Sequence, residues 1–135
     1  MLYCALKKII SMFKTIFYVA FGGAVGSVCR LLSTIFINKY WPKTFPLATI
    51  LINFFGCLLL GFIIAFVQKN NWFNSNFKWF LITGFCGGFT TFSAFANENY
   101  TLLTGAQFYT SLLYISLSVI LGIAAIGLGH FLAKL

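Results

Sequence analysis

The chain contains four long apolar runs, at about residues 16–37, 46–67, 79–102 and 108–132. Each run is close to the roughly 20 residues that an α-helix needs to cross the hydrocarbon core of a bilayer. With 61% hydrophobic and only 7% charged residues, a soluble domain of 135 residues could not bury so much apolar surface. We therefore predict a single domain over residues 1–135, an all-α membrane protein with four transmembrane helices.

Residues 1–15 precede the first apolar run and hold Lys7, Lys8 and Lys14 among apolar residues. This composition predicts a short arm that lies before the membrane. The first run is not predicted to be a cleaved signal peptide, because it contains Arg30 and lacks a small-residue cleavage site.

Charge and cysteine content exclude several other classes of protein. The formal net charge is +8, but the cations are scattered singly, so no basic patch for nucleic acid is indicated. The four cysteines have no CxxC spacing and indicate neither a zinc site nor a disulfide framework. The sequence also contains no ATP motif, metal-ligand cluster or nucleophile–base pair, so no enzyme is predicted.

The third apolar run contains an unusual string, GFCGGFTTFSAFANE, from Gly84 to Glu98. Its glycines and hydroxyl residues predict a broken membrane helix, which is tolerated only where the freed backbone is buried in protein or lines a wet cavity. Phe92 and Phe95 are three residues apart and share one helical face. Their positive ring edges could line the path of an anion. The alternative is a glycine-rich packing contact with two phenylalanines that face lipid.

Polar residues in the other runs each allow two interpretations. Gly22 and Gly26 favour close helix packing. Arg30 either extends to the membrane interface or faces a wet cavity. Asn53 either holds two helices together or donates N–H groups to a dehydrated anion, and spacing alone does not separate these roles.

The last part of the chain adds hydroxyl and small residues. Glu98, the only acid, could be an interfacial charge near the end of its helix, and His130 is predicted at the membrane interface. Ser118 and Tyr114 could add hydroxyls beside the phenylalanines. The fourth run also carries one stripe for tight helix packing, formed by Ser111, Ser118, Gly122, Ala125 and Gly129.

The string in the third run resembles the fluoride-specific ion channel family (Fluc, also called CrcB), whose third helix carries GfcGGfTTFStF. Two further matches lie upstream in the expected order, GGAVGSVCR at Gly22 to Arg30 and INFFGCLLLG at Ile52 to Gly61. The resemblance covers nearly the whole chain. It departs from the family at Ala94, where the family usually has Ser or Thr, which removes one hydroxyl beside the rings.

The resemblance implies a passive channel that exports fluoride and protects the cell from its toxicity. Arg30 would attract anions in a wet vestibule, and Glu98, where the family also has an acid, would face the pore end or the subunit contact. A central structural Na⁺ would bind the backbone carbonyls of Gly87 and Thr90 from two antiparallel subunits of a dual-topology-type dimer, because carbonyl oxygens suit a hard cation. The implied fluoride path consists of Asn53, Thr91, Phe92, Ser93, Phe95 and Ser118.

Loop charges predict the orientation of the chain. Six lysines lie on the side of both termini, whereas Lys39 and Lys43 lie on the other side. Loops rich in positive charge tend to lie in the cytoplasm. We therefore expect both termini on the cytoplasmic side of the plasma membrane of a prokaryote. Since a dual-topology homodimer needs nearly balanced loops, the bias favours a partner of opposite orientation, such as a paralogue. The six lysines are Lys7, Lys8, Lys14, Lys69, Lys78 and Lys134.

Two alternatives to a self-sufficient channel remain at the level of sequence. A small multidrug-type exporter also has four helices, but it needs a membrane-embedded carboxylate to couple transport to protons. The first run has no such residue. The second alternative is a non-conducting subunit of a heterodimeric fluoride channel.

Overall fold

The computed structural model describes residues 2–41, 45–69 and 75–135, and within these ranges the chain is helical, with short turns. The first helix spans Leu2–Tyr40, the second Leu47–Lys69 and the fourth Phe108–Leu132. Residues 75–104 form the third membrane helix. All four are long and apolar enough to cross a membrane, so the predicted all-α membrane fold is confirmed. Lys43 lies outside the described residues.

The first helix is longer than the sequence predicts. The arm expected before the membrane is helical and continuous with the membrane segment, because no proline or glycine interrupts residues 2–21. The helix therefore has 39 residues, almost twice the number that a span requires.

The third membrane helix is broken, as its sequence predicts. Its N-terminal half consists of Ser75–Trp79, a π-helical segment Phe80–Cys86 and one turn at Gly87–Phe89. Its C-terminal half is Phe92–Thr104. Thr90 and Thr91 between them are extended, with ψ of 158° and 117°. The break therefore lies on the two threonines rather than on the glycines before them, which are helical.

The glycines of the first and third helices allow the two backbones to touch. A Cβ atom at Gly84 would lie 2.9 Å from the Cα of Gly22, and one at Gly26 would overlap the carbonyl oxygen of Phe85. The predicted packing role of Gly22 and Gly26 is confirmed. The seam fixes the N-terminal half of the broken helix against the first helix.

The second and fourth helices form a second close pair. A Cβ atom at Gly129 would overlap the carbonyl oxygen of Leu58, and one at Gly61 would overlap that of Ile126. Ser111 and Ala125 of the predicted stripe are buried. This pair supplies the other wall against which the C-terminal half of the third helix packs.

We expect Gly26→Ala to destabilise the protein, although Gly→Ala inside a helix usually stabilises by about 1 kcal/mol. The added methyl would overlap backbone atoms that cannot rotate away, and such overpacking typically costs about 1–3 kcal/mol. Thermal unfolding in detergent measures the difference. Gly127→Ala is the matched control, because a Cβ there meets nothing within 4 Å. Equal melting temperatures for the two variants would contradict a packing role for Gly26.

Candidate functional site

The centre of the site is the break at Thr91, which the Asn53 side chain of the second helix bridges. The Thr91 amide donates to Asn53 Oδ1 at 2.8 Å, and Asn53 Nδ2 donates to the Thr91 carbonyl at 3.1 Å. Both backbone groups of Thr91 are thus satisfied by one amide. Of the two roles open at the sequence level, the structure supports helix bridging and leaves the second N–H of Nδ2 for another acceptor.

The Thr91 side chain begins the C-terminal half of the broken helix. Its hydroxyl accepts from the Ala94 amide at 3.2 Å, the geometry of an N-cap, and lies 3.3 Å from the Ser93 hydroxyl. The Thr90 hydroxyl donates instead to the Cys86 carbonyl behind it, at 2.9 Å. The two threonines therefore serve opposite halves of the helix.

One cavity, of about 280 Å³, gathers most of the predicted fluoride path. We call it the phenyl cavity. Asn53 and Thr91 line it beside the rings of Phe92 and Phe95, whose centroids are 5.8 Å apart. Ser118 lines it from the fourth helix. Among the described residues, the Ser118 hydroxyl is a buried oxygen with no hydrogen-bond partner, which indicates a place for an acceptor that the chain itself does not supply.

Ser93 and Arg30 line a different cavity, which we call the arginine cavity. Thr91 contributes to both cavities and is the point where they approach each other. Ala94 also lines the arginine cavity, so a hydroxyl at that position would belong to this cavity and not to the phenyl cavity. Arg30 is half-buried, and within the part of the chain that the structure describes it forms no ion pair.

Glu98 lines the arginine cavity together with Arg30 and is held by two hydroxyls. Thr49 donates to one carboxylate oxygen at 2.7 Å, and Tyr114 donates to the other at 2.6 Å. These short bonds hold the carboxylate against the second and fourth helices. Partners from the second and fourth helices thus hold the Glu98 side chain beside the arginine cavity.

Tyr114 connects this carboxylate to the phenyl rings. It is completely buried, and its ring meets that of Phe95 edge-on at 5.1 Å. Phe95 is thereby fixed, whereas Phe92 is 79% exposed in the single chain. The two rings share a face, as predicted, but only one is packed by its own subunit.

Two residues of the site were not found from the sequence. Thr49 lies one turn before Asn53 on the same face of the second helix, and that spacing was an available signal. Asn99 is buried and accepts from the Ser111 hydroxyl at 2.8 Å. No motif pointed to Asn99, whose bond depends on how the third and fourth helices pack.

The carbonyls of Gly87 and Thr90 lie at the break. The Thr91 amide, the usual helical partner of the Gly87 carbonyl, donates to Asn53 instead, and the Ala94 amide donates to the Thr91 hydroxyl rather than to the Thr90 carbonyl. Gly87 is exposed, and a Cβ there would meet nothing within 4 Å. Carbonyl oxygens that lack their helical donors are ligands that suit a hard cation.

Comparison with known proteins gives consistent similarities. The family model described as "CrcB-like protein, Camphor Resistance (CrcB)" matches residues 17–130. A protein of Flavobacterium psychrophilum named "Fluoride-specific ion channel FluC" is 54% identical, over 90% of this chain and 98% of its own. Proteins with the same name from Azobacteroides pseudotrichonymphae and Bacteroides fragilis are 44% and 39% identical, over 91% and 90% of this chain and 98% and 97% of theirs.

We expect Asn53→Ala to destabilise the protein, because it leaves the amide and the carbonyl of Thr91 without partners inside the bilayer. An unsatisfied buried group costs about 1–3 kcal/mol, so the melting temperature in detergent should fall clearly. Asn97→Ala, on the exposed side of the C-terminal half-helix, is the matched control and should melt like the wild type. A melting temperature unchanged by Asn53→Ala would mean that the bridge does not hold the break.

Proposed function

This chain belongs to the CrcB-like family of fluoride channels, and we propose that it conducts fluoride passively out of the cell through the phenyl cavity. Membership excludes an enzyme, and it decides against the proton-coupled drug exporter that the helix count alone allows. The protein crosses the membrane several times. Export of fluoride, and with it protection from fluoride toxicity, follows from the family.

The observation that carries the proposed path is the unpartnered hydroxyl of Ser118 beside Asn53 and the two rings. Fluoride is small and strongly hydrated, so a pore has to replace its water shell with donors. The free N–H of Asn53 and the hydroxyl of Ser118 are such donors. The edges of Phe92 and Phe95 attract an anion weakly, which allows it to leave again, as conduction requires.

The arginine cavity is proposed as the vestibule of the same path. Arg30 supplies positive charge at its wall, and Ser93 supplies a hydroxyl. Thr91 lines both cavities and would pass the ion from one to the other. Arg30 and Glu98 line one cavity with opposite charges, so an anion would be attracted by Arg30 and repelled by Glu98.

We propose further that two antiparallel subunits enclose the path and bind one structural Na⁺ between them. The exposure of Phe92 in a single chain supports this, since a ring that lines an ion path needs a second wall. The carbonyls of Gly87 and Thr90, which lack their helical donors, would face the same groups of the partner across the axis. Na⁺ would fix the two breaks against each other and take no part in transport.

Fluoride efflux from liposomes that contain this chain alone, read with a fluoride electrode, tests the proposed path. We expect rapid efflux by the wild type and a roughly tenfold or larger loss in Ser118→Ala, because a hydrogen bond to a charged group is worth about 1.5–3 kcal/mol. Ser116→Ala is the matched control, since that hydroxyl is exposed and bonds to the Leu112 carbonyl of its own helix. Equal efflux from both variants would overturn the path through the phenyl cavity.

The same assay tests the proposed assembly. Undiminished efflux after sodium is replaced on both sides by N-methylglucamine would contradict the structural Na⁺. If the wild-type chain alone gives no fluoride efflux, the result would support a heterodimer. Co-expression with a paralogue of opposite orientation should then restore efflux. Silence with that partner as well would favour a non-conducting subunit.

The orientation of the chain is proposed from its loop charges, with both termini in the cytoplasm of a prokaryote. The bond from Lys69 to the Lys134 carbonyl, at 3.4 Å, supports the assignment of these two lysines to one side. Labelling of single engineered cysteines near Lys69 and Lys39 in native membranes should find one fixed orientation. If copies of this chain alone are labelled in both orientations, the paralogue hypothesis fails and a dual-topology homodimer replaces it.

A further inference from the structure

The first helix continues well beyond the part of it that crosses the membrane. Its 39 residues correspond to about 58 Å at 1.5 Å per residue, against a hydrocarbon core of about 30 Å. Tyr40 and Trp41 mark the interface at its C-terminal end. The match to the family begins only at residue 17. Residues 2–16, which we call the N-terminal arm, therefore lie outside both the family match and the length needed for a span.

The N-terminal arm leaves several of its described apolar side chains uncovered. The seam with the third helix is formed further along, where Gly84 meets Val19 and Gly22. In the arm, Phe13 is 63% exposed, and Leu6, Ile9 and Ile10 are each about half exposed. A helix with these side chains in water would be unfavourable. The arm therefore needs a surface that accepts apolar groups.

The polar side chains of the arm lie together on one side of the helix. At 100° per residue, they fall within a sector of about 120°, and the four apolar residues named above occupy the remainder. All the charges of the arm are positive, and the chain's only acid, Glu98, is bound elsewhere. The polar residues of this sector are Lys7, Lys8, Ser11, Lys14 and Thr15.

We propose that the N-terminal arm binds the anionic phospholipid surface of the leaflet at which the first helix emerges. A basic face opposite a broad apolar face is the pattern of helices that bind at the membrane interface. Because the arm continues the spanning helix without interruption, binding requires the long helix to tilt or to bend toward the lipid surface. The lysines would contact lipid phosphates while Leu6, Ile9 and Phe13 enter the acyl boundary. Anionic lipid satisfies both faces at once, whereas a protein partner would have to combine an apolar groove with an acidic rim. The inference is independent of fluoride conduction.

Hydrogen–deuterium exchange of the full chain, followed by mass spectrometry, tests this inference in nanodiscs of two compositions. One is pure phosphatidylcholine and the other is phosphatidylcholine with phosphatidylglycerol at 3:1. A short helix in water is only marginally stable and exchanges quickly. We expect the amides of residues 2–14 to exchange at least tenfold more slowly in the anionic nanodiscs, since each lysine near such a surface strengthens binding by roughly fivefold.

Two variants make the result specific. Replacement of Lys7, Lys8 and Lys14 by Gln together should abolish the difference between the lipids, whereas Lys39→Gln, at the other end of the same helix, should preserve it. The readout is amide exchange of the arm and not fluoride efflux, so a failure here is distinguishable from a failure of the proposed channel. Equal exchange in the two lipids, or a difference that survives the triple variant, would overturn lipid binding. If the amides of the arm exchange slowly only when another protein is co-expressed, that protein and not the lipid binds the arm.

Discussion

The two hydrogen bonds between the Asn53 amide and the backbone of Thr91 are the contact on which the rest of the site depends. A break in a membrane helix exposes backbone groups where no water can satisfy them. One side chain from a neighbouring helix satisfies both groups of Thr91. This arrangement sets the angle at which the second half of the third helix begins, and the positions of Phe92 and Phe95 follow from that angle.

The contacts of the two halves of the third helix with neighbouring helices fix the position of the break. The N-terminal half of the third helix is fixed to the first helix through Gly22 and Gly84. Its C-terminal half is fixed to the second and fourth helices by polar contacts, with Glu98 and Asn99 as the acceptors. Close backbone packing replaces the hydrophobic effect between helices in lipid. The break is thus the joint between two rigid pairs of helices.

The sequence predicted the class of the fold, the number of helices and the broken third helix, because hydropathy and helix-breaking residues are local signals. It did not locate the break on Thr90 and Thr91, since the glycines beside them carry the same local signal but are used for packing. The hydrogen bonds of Glu98 were not predicted for a similar reason. Its neighbours in sequence say nothing of Thr49 and Tyr114, which reach it from other helices. The sodium ion, the partner subunit and the role of each path residue remain proposals.

The exposure of Phe92 bears on how a single chain behaves in the membrane before two subunits assemble. A newly inserted single chain presents one packed ring and one exposed ring, so it would hold only part of the wall of the proposed path. If the path forms only in the proposed dimer, an unpaired subunit would not conduct ions. It could not dissipate ion gradients before it binds its partner. The membrane would then stay impermeable to the ion while single chains are inserted, and no separate blocking segment would be needed. A path would form only when two subunits pair.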